Sequence, residues 1–135
     1  MNRIFGIFLT VFLLMSISMF ASAESYTYGS DQTNPIYINN PDEDVTITLN
    51  GVNITSSSST PAIMISKAKS VTIILANGSE NKLKSPNNYA AIDNNNIQLT
   101  ITCASAGEGH VCDDDCGKLS AIGGRLGAGI GGSNS

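Results

Sequence analysis

The chain has 135 residues, of which seven are basic and eleven acidic, so its formal net charge is −4 at pH 7. This acidic balance argues against nucleic acid or an anionic membrane surface as the main partner. There is no Trp, and all four Phe residues fall within the first 20 positions, so a core built from the rest must be aliphatic.

The first 23 residues have the pattern of a secretory signal peptide. A basic residue, Arg3, precedes an almost wholly apolar run at residues 4–20, and residues 21–23 (Ala-Ser-Ala) are the small residues of a cleavage site. A membrane anchor is the alternative, but the apolar run is short for a span and no basic stop-transfer cluster follows it. We therefore expect cleavage after Ala23, secretion or display at the extracellular surface, and no membrane attachment afterwards.

The rest of the chain divides into a short polar segment and one domain. Residues 24–34 are polar apart from two tyrosines, and we expect an N-terminal entry segment or cap there. Residues 35–135 are enough for one small domain. Without Arg3, six basic residues face eleven acidic ones, which gives a formal net charge of −5.

A six-residue pattern of alternating aliphatic and mostly polar residues occurs three times in this domain. Its first aliphatic positions are Val45, Val71 and Ile97, which are 26 residues apart both times. Successive side chains of a strand point to opposite faces, so each aliphatic triplet lies on one face of a strand. A fixed period of this length is typical of stacked arrays, in which each unit buries its apolar face against the next.

The pattern predicts an all-β parallel β-solenoid of about four short coils, with Val45, Val71 and Ile97 in one internal column. An antiparallel sandwich also has alternating strands, but it gives no reason for two equal intervals. The segments that begin at Pro35 and Pro61 are also 26 residues apart, which extends the predicted register beyond the central strands.

The third coil contains an insertion, because residues 103–116 replace what is a short turn in the earlier coils. Three cysteines lie in it, and in an exported chain they predict one disulfide and one remaining thiol. The ends of an inserted loop must come close together, which favours Cys103–Cys116 and leaves Cys112 free or intermolecular. Cys112–Cys116 is the alternative pairing.

Metal binding by this loop is the less favoured interpretation. Cys103, His110, Cys112 and Cys116 are a formal zinc set, but they lack a paired C-x-x-C element and export disfavours free thiolates. The acidic run at residues 113–115 is a weak calcium candidate, since consecutive acids point in different directions and no EF-hand pattern surrounds them. We therefore expect no cofactor, with calcium as the weaker alternative.

Three segments, residues 45–54, 71–83 and 127–132, resemble secreted right-handed β-helix proteins that are identified as carbohydrate-binding domains, polygalacturonate binders among them. Related repeats occur in microbial surface proteins. The resemblance runs from about Pro35 to the end of the chain, and the cysteine loop departs from it. It implies a right-handed parallel β-helix and non-catalytic binding of an extracellular or cell-wall polysaccharide, which is acidic in the polygalacturonate case.

Tyrosines are the only aromatic side chains outside the leader on which a sugar ring could rest. Tyr37 and Tyr89 are the candidate carbohydrate contacts, although either could instead cover the flank of the coils. Asn53 and Asn77 begin acceptor sequons and are candidate N-glycosylation sites in a eukaryotic source.

Two other functions compete with sugar binding. A structural or adhesive surface module, including a truncated one, needs no sugar site, and its open last coil would favour end-to-end self-association. A polysaccharide lyase-like enzyme is less favoured, because the outer strand positions are mostly Thr and lack paired carboxylates. We expect no catalytic residue, since the single histidine, His110, has no nucleophile motif beside it.

Overall fold

The computed structural model describes residues 23–57, 59–106 and 112–132. The predicted signal peptide (except Ala23) and His110 lie outside the described residues. Strands are the only regular elements in those ranges. They are β1 (Ala23–Tyr28), β2 (Ile36–Asn39), β3 (Asp44–Leu49), β4 (Asn53–Thr55), β5 (Ile63–Lys67), β6 (Ser70–Leu75), β7 (Glu80–Lys84), β8 (Ile92–Asp93), β9 (Gln98–Cys103), β10 (Lys118–Ile122) and β11 (Ile130–Gly131).

The strands form three sheets in which every pairing is parallel. The first sheet has the order β1-β3-β6-β9, the second β11-β8-β5-β2, and the third β10-β7-β4. From β2 onwards the chain adds one strand to the second sheet, one to the first and one to the third, and we call each such round a pass. The three passes are β2–β4, β5–β7 and β8–β10, and β11 begins a fourth. The prediction of an all-β fold with parallel strands is confirmed. Within the described ranges, no helix is long and apolar enough to cross a membrane.

The register of the first sheet agrees with the sequence pattern for the first two copies and differs for the third. Val45 pairs with Val71, as predicted, but Val71 pairs with Leu99 rather than with Ile97. The prediction for Ile97 was therefore wrong by two residues. A shift of two keeps the same face of the strand inwards, so apolar residues still stack, and the column that contains Leu49 and Leu75 ends at Cys103.

The extra residues between Val71 and Leu99 lie in the corner before β7: Val71 and Leu83 are 12 positions apart, whereas their partners Val45 and Ile54 are nine apart. The corner before β9 is one residue shorter than the corner before β6, with seven positions from Ile92 to Leu99 against eight from Ile63 to Val71. Asn95 and Asn96 have positive φ angles of 45° and 61°, and the Ile97 N–H donates to the Asn94 carbonyl at 2.7 Å. Asn is one of the few residues that tolerates this left-handed conformation. The two asparagines therefore form the tight turn of the corner before β9.

In the second sheet, residues of β2 as far as Ile38 are 27 positions from their partners in β5, one more than the predicted interval of 26. Ile36 pairs with Ile63 and Tyr37 pairs with Met64. A one-residue error reverses the face of every side chain. Consequently Ile63 is fully buried, whereas Met64 lies on the outer face beside Tyr37.

The core is a set of aliphatic columns enclosed by the three sheets. Its fully or almost fully buried members include the inward residues of β3, β6 and β7 and of the second sheet. They are Ile36, Ile38, Val45, Ile47, Leu49, Val52, Ile54, Ala62, Ile63, Ile65, Val71, Ile73, Leu75, Leu83, Ala91, Ile92 and Cys103. Each additional pass extends these columns, which is how a narrow cross-section without Phe or Trp excludes water.

The N-terminal segment begins with a strand rather than an irregular entry. β1 lies parallel to β3 and pairs with it along its full length, from Ala23 opposite Asp44 to Tyr28 opposite Leu49. It therefore covers the edge that β3 would otherwise expose at this end of the first sheet.

The glycine-dense C-terminal segment is folded as far as residue 132. The Gly124 N–H donates to the Tyr89 carbonyl at 2.9 Å, and the Ile92 N–H donates to the Gly129 carbonyl at 3.1 Å. β11 then adds to β8 as the last strand of the second sheet. This segment thus starts the fourth pass.

Asn81 is the most deeply buried polar side chain among the described residues, with 1% of its surface exposed. Its Oδ1 accepts hydrogen bonds from the backbone N–H groups of Gly51 at 2.9 Å and Val52 at 3.1 Å. Its Nδ2 donates to Ser79 Oγ at 2.9 Å and to the Lys118 carbonyl at 3.2 Å. One amide therefore connects three successive passes and is fully satisfied while doing so.

We expect Asn81→Ala to lower the free energy of unfolding by about 2–5 kcal/mol, because it leaves the N–H groups of Gly51 and Val52 without a partner. Chemical denaturation followed by circular dichroism measures the change. Asn53→Ala is the matched control: Asn53 is exposed on the adjacent strand of the same sheet, and its loss should change stability by no more than about 0.5 kcal/mol. Equal stability of the two variants would contradict the role given to Asn81.

Candidate functional site

The outer face of the second sheet carries an exposed aromatic side chain in a defined row. Tyr37 on β2 is 60% exposed, and its neighbours in the row are Met64 on β5 and Asp93 on β8. Adjacent strands are about 4.8 Å apart, so these three side chains project side by side from the sheet. Asn39 is also exposed and follows Tyr37 on the same face.

A groove of about 310 Å³ lies where the strands of the second sheet end and the chain turns towards the first sheet. All three passes contribute to it. Its lining residues are Pro41, Asp42, Ser66, Lys67, Ala68, Asn95 and Ile97. Hydrogen-bond donors and acceptors thus surround three apolar side chains, those of Pro41, Ala68 and Ile97. We refer to this groove together with Tyr37, Asn39, Met64 and Asp93 as the Tyr37 face.

Hydrogen bonds within and between passes hold this groove in shape. The Asn95 side-chain amide donates to the Ser66 carbonyl at 3.2 Å, and the Asn95 N–H donates to Asp93 Oδ1 at 3.1 Å. The Asn40 N–H donates to the Lys67 carbonyl at 2.9 Å. Polar groups held at the end of strands that carry an exposed aromatic ring suit a ligand that has many hydroxyl groups and one apolar side.

Tyr89 is placed differently from Tyr37. It is half-buried in the turn before β8, where its N–H donates to the Pro86 carbonyl at 3.2 Å and its carbonyl accepts from Gly124. It lies before β8, outside the strand whose Asp93 joins the Tyr37 row. The fold does not bring the two tyrosines into one row.

The outer face of the third sheet concentrates positive charge in an otherwise acidic chain. Lys82 and Lys84 on β7 and Lys118 on β10 are all exposed there, and they are three of the six basic residues of the described ranges. Lys118 pairs with Glu80, and a second groove, of about 210 Å³, lies between β7 and β10. We call Lys82, Lys84 and Lys118 the lysine face.

The family model for carbohydrate-binding domain-containing proteins matches residues 20–110, which is most of the chain. The chain belongs to this family. No curated protein and no solved structure gives a match. The matched segment includes the whole Tyr37 face and Tyr89, whereas β10 and β11 lie beyond it.

In this carbohydrate-binding family member, the structure joins Cys103 to Cys116 by a disulfide with a Cα–Cα distance of 5.3 Å. Cys112 is a free, exposed thiol. The sulfur atoms of all three lie within 4.8 Å of one another. Because two of these sulfurs are bonded to each other, the cluster as it stands offers one thiol to a metal rather than the three required by the zinc set.

The acidic run of the loop is engaged in local hydrogen bonds. Asp113 Oδ1 accepts from Ser105 Oγ at 2.7 Å and from the Asp115 N–H at 3.1 Å. All three aspartates are exposed. The Asp113 carboxylate therefore stabilises the conformation of the loop. A carboxylate is also a calcium ligand, but here its Oδ1 is engaged in hydrogen bonds within the protein.

Both sequon asparagines are exposed. Asn53 projects from the third sheet next to Lys82, so a glycan there would cover part of the lysine face. Asn77 lies in the turn after β6, beside Gly78, which has a positive φ of 65°.

The pKa of Asp44, two residues after the groove residue Asp42, is lowered by its hydrogen-bond partners. Ser70 Oγ donates to Asp44 Oδ1 at 2.6 Å, and Lys69 Nζ lies 3.2 Å from Asp44 Oδ2. These two contacts, the hydroxyl first, hold the pKa of Asp44 below its ordinary value of 3.8. Since the folded state binds this proton less readily than the unfolded chain, the contribution to stability is present above pH 3.8 and is lost as the pH falls through the folded pKa.

We expect Ser70→Ala to raise the pKa of Asp44 towards 3.8 and to reduce the loss of stability on acidification. The chemical shift of the Asp44 side-chain carboxyl carbon, followed by NMR between pH 2 and 6, reports the change in pKa directly. Thr72→Ala, which alters another outward residue of the same strand, serves as the control. An Asp44 titration that is identical in Ser70→Ala and in the unsubstituted protein would show that the hydroxyl is not the cause.

Proposed function

We propose that the chain is a secreted, non-catalytic carbohydrate-binding module that recognises extracellular or cell-wall polysaccharide through the Tyr37 face. The observation that carries the proposal is the exposed Tyr37 ring on the outer face of the second sheet, with a groove lined by polar groups at the end of the same strands, all inside the segment that matches the carbohydrate-binding family. A pyranose ring has one relatively apolar face and a rim of hydroxyls. Tyr37 would contact the first, while Asp42, Lys67 and Asn95 would bind the second.

The architecture that we propose for the module is a right-handed parallel β-helix of residues 35–135. The cyclic visits to three parallel sheets support it, because stacked passes are the simplest path that produces this pairing. Secretion rests on the apolar leader, residues 1–23, and is supported by the disulfide, which is typical of oxidising compartments.

A rigid extended face suits a polymeric ligand better than a small molecule. The groove is open along one corner of all three passes, so a chain of sugar residues could lie across it without a closed pocket. Asp42 and Asp93 are the carboxylates of the Tyr37 face, and Asp93 Oδ1 already accepts a backbone hydrogen bond. We therefore assign Asp93 a positioning role in binding rather than proton transfer.

We expect Tyr37→Ala to weaken binding at least about tenfold, or 1.4 kcal/mol, because the aromatic contact is lost. Isothermal titration against soluble neutral and acidic polysaccharides, with and without calcium, measures the change. Tyr26→Ala, at an exposed tyrosine of the first sheet, is the matched control and should bind like the unsubstituted protein. Tyr89→Ala tests the second candidate contact.

Three results would oppose the proposal. Retained affinity in Tyr37→Ala would remove the Tyr37 face as the site. Absence of binding to every polysaccharide would favour the structural or adhesive module instead. Release of sugar fragments from polygalacturonate, abolished by Asp93→Asn, would favour the lyase-like enzyme.

The lysine face supports an acidic polysaccharide as the ligand class. Three exposed ammonium groups lie on two adjacent strands with one carboxylate, Glu80, opposite Lys118. Such a strip attracts a polyanion, and the attraction weakens as salt screens it. The face would extend the binding of a long acidic chain beyond the Tyr37 face.

We expect the triple variant Lys82→Gln, Lys84→Gln and Lys118→Gln to lose affinity for polyuronates about tenfold or more at low salt, and to bind neutral glucans unchanged. The same titrations at 50 and 500 mM NaCl should show that the salt dependence is reduced in the variant. Lys69→Gln, which removes one exposed lysine elsewhere, is the control. Unchanged polyuronate affinity in the triple variant would exclude the lysine face.

End-to-end self-association is the alternative partner. Ile122, Leu126 and Ile130, near the end of the described chain, are 54%, 62% and 46% exposed. Sedimentation at increasing protein concentration tests it, and a monomer at all concentrations would exclude it.

A further inference from the structure

The cysteine loop brings a free thiol next to a disulfide. The sulfurs of Cys103, Cys112 and Cys116 lie within 4.8 Å of one another, and Cys112 is exposed to solvent. Thiol–disulfide exchange begins with attack of a thiolate on one sulfur of a disulfide, so a third sulfur at this distance is positioned for it. The sugar-binding proposal uses none of these residues, and Cys112 and Cys116 lie outside the family match.

Both ends of the loop are attached to the previous pass independently of the disulfide. The Ala104 N–H donates to the Leu75 carbonyl at 2.9 Å, and the Gly78 N–H donates to the Asp115 carbonyl at 2.8 Å. A Cβ on Gly117 would lie 2.3 Å from the Ala76 carbonyl oxygen, so the backbone after Cys116 packs directly on that pass. The disulfide can therefore be broken without separating the strands.

Burial determines which sulfur leaves. Cys103 is 5% exposed and ends the inner column that contains Leu49 and Leu75, where a thiolate would be poorly solvated. Cys116 is only half-buried. Ser105 Oγ lies 3.6 Å from the sulfur of each, so it does not distinguish the two. Forming a thiolate is therefore less unfavourable at Cys116 than at Cys103, which makes Cys116 the better leaving group.

We propose that Cys103, Cys112 and Cys116 form an intramolecular thiol–disulfide exchange site. The Cys112 thiolate attacks Cys103 Sγ, the Cys103–Cys112 bond forms, and the Cys103–Cys116 bond breaks with its electron pair moving to Cys116 Sγ. Cys116 takes up one proton in place of the one lost by Cys112. No oxidant or reductant is consumed, and the products are a Cys103–Cys112 disulfide and a Cys116 thiol.

The test uses the full chain after export, kept oxidised and diluted. The protein is incubated at pH 8, free thiols are alkylated with N-ethylmaleimide at successive times, and peptide mass spectrometry locates the label and the remaining disulfide. We expect label on both Cys112 and Cys116, with at least about one-tenth on Cys116 after minutes to hours. The fraction should not depend on protein concentration, because the exchange is intramolecular.

Two variants supply the controls. Cys112→Ser should keep the Cys103–Cys116 disulfide and take up no label. Cys116→Ser should form Cys103–Cys112 and retain the circular dichroism spectrum of the unsubstituted protein. Label confined to Cys112 in the unsubstituted chain after a day would overturn the proposal, and so would label on Cys103, which would mean that the other sulfur leaves. Neither result bears on polysaccharide binding, so the two proposals fail separately.

Discussion

The in-register parallel pairing of inward-facing aliphatic residues is the constraint on which the rest of the structure depends. Ile47 lies over Ile73, and Ile73 over Ile101, so the strands cannot change register without exposing their apolar side chains. Differences in length between passes therefore lie mainly in the corners, as at residues 76–79, 94–97 and 103–116, with one irregularity inside the pairing of β2 and β5. The groove and the cysteine cluster lie at such corners, where the chain can vary at little cost to the core.

The same constraint explains which parts of the fold the sequence could predict. The pairing of Val45 with Val71 was predictable, because the two segments are similar and separated by corners whose lengths compensate. The third strand was displaced by two residues, since the length added in the corner between β6 and β7 cannot be counted from hydrophobic periodicity. Asn81 resembles any other polar residue near a turn, and its burial depends on three passes meeting at one point.

The candidate sites were predictable to different degrees. Alternation with buried Ile36 and Ile38 was sufficient to place Tyr37 on an outer face. The groove beside it was not predictable, because its residues come from three corners that are far apart in sequence. The lysine face was partly visible, since Lys82 and Lys84 alternate with Asn81 and Leu83, but Lys118 joins them only after the inserted loop. The disulfide followed from the requirement that the ends of a loop meet.

The buried amide of Asn81 has a consequence for local motion. The Gly51 and Val52 N–H groups lie in a turn, where hydrogen exchange with solvent is normally fast. Here each is bonded to a side chain that is itself held by Ser79 and Lys118 from the two later passes. These turn protons exchange when the Asn81 amide releases them, so their protection reports on a contact that links three passes rather than on one corner alone.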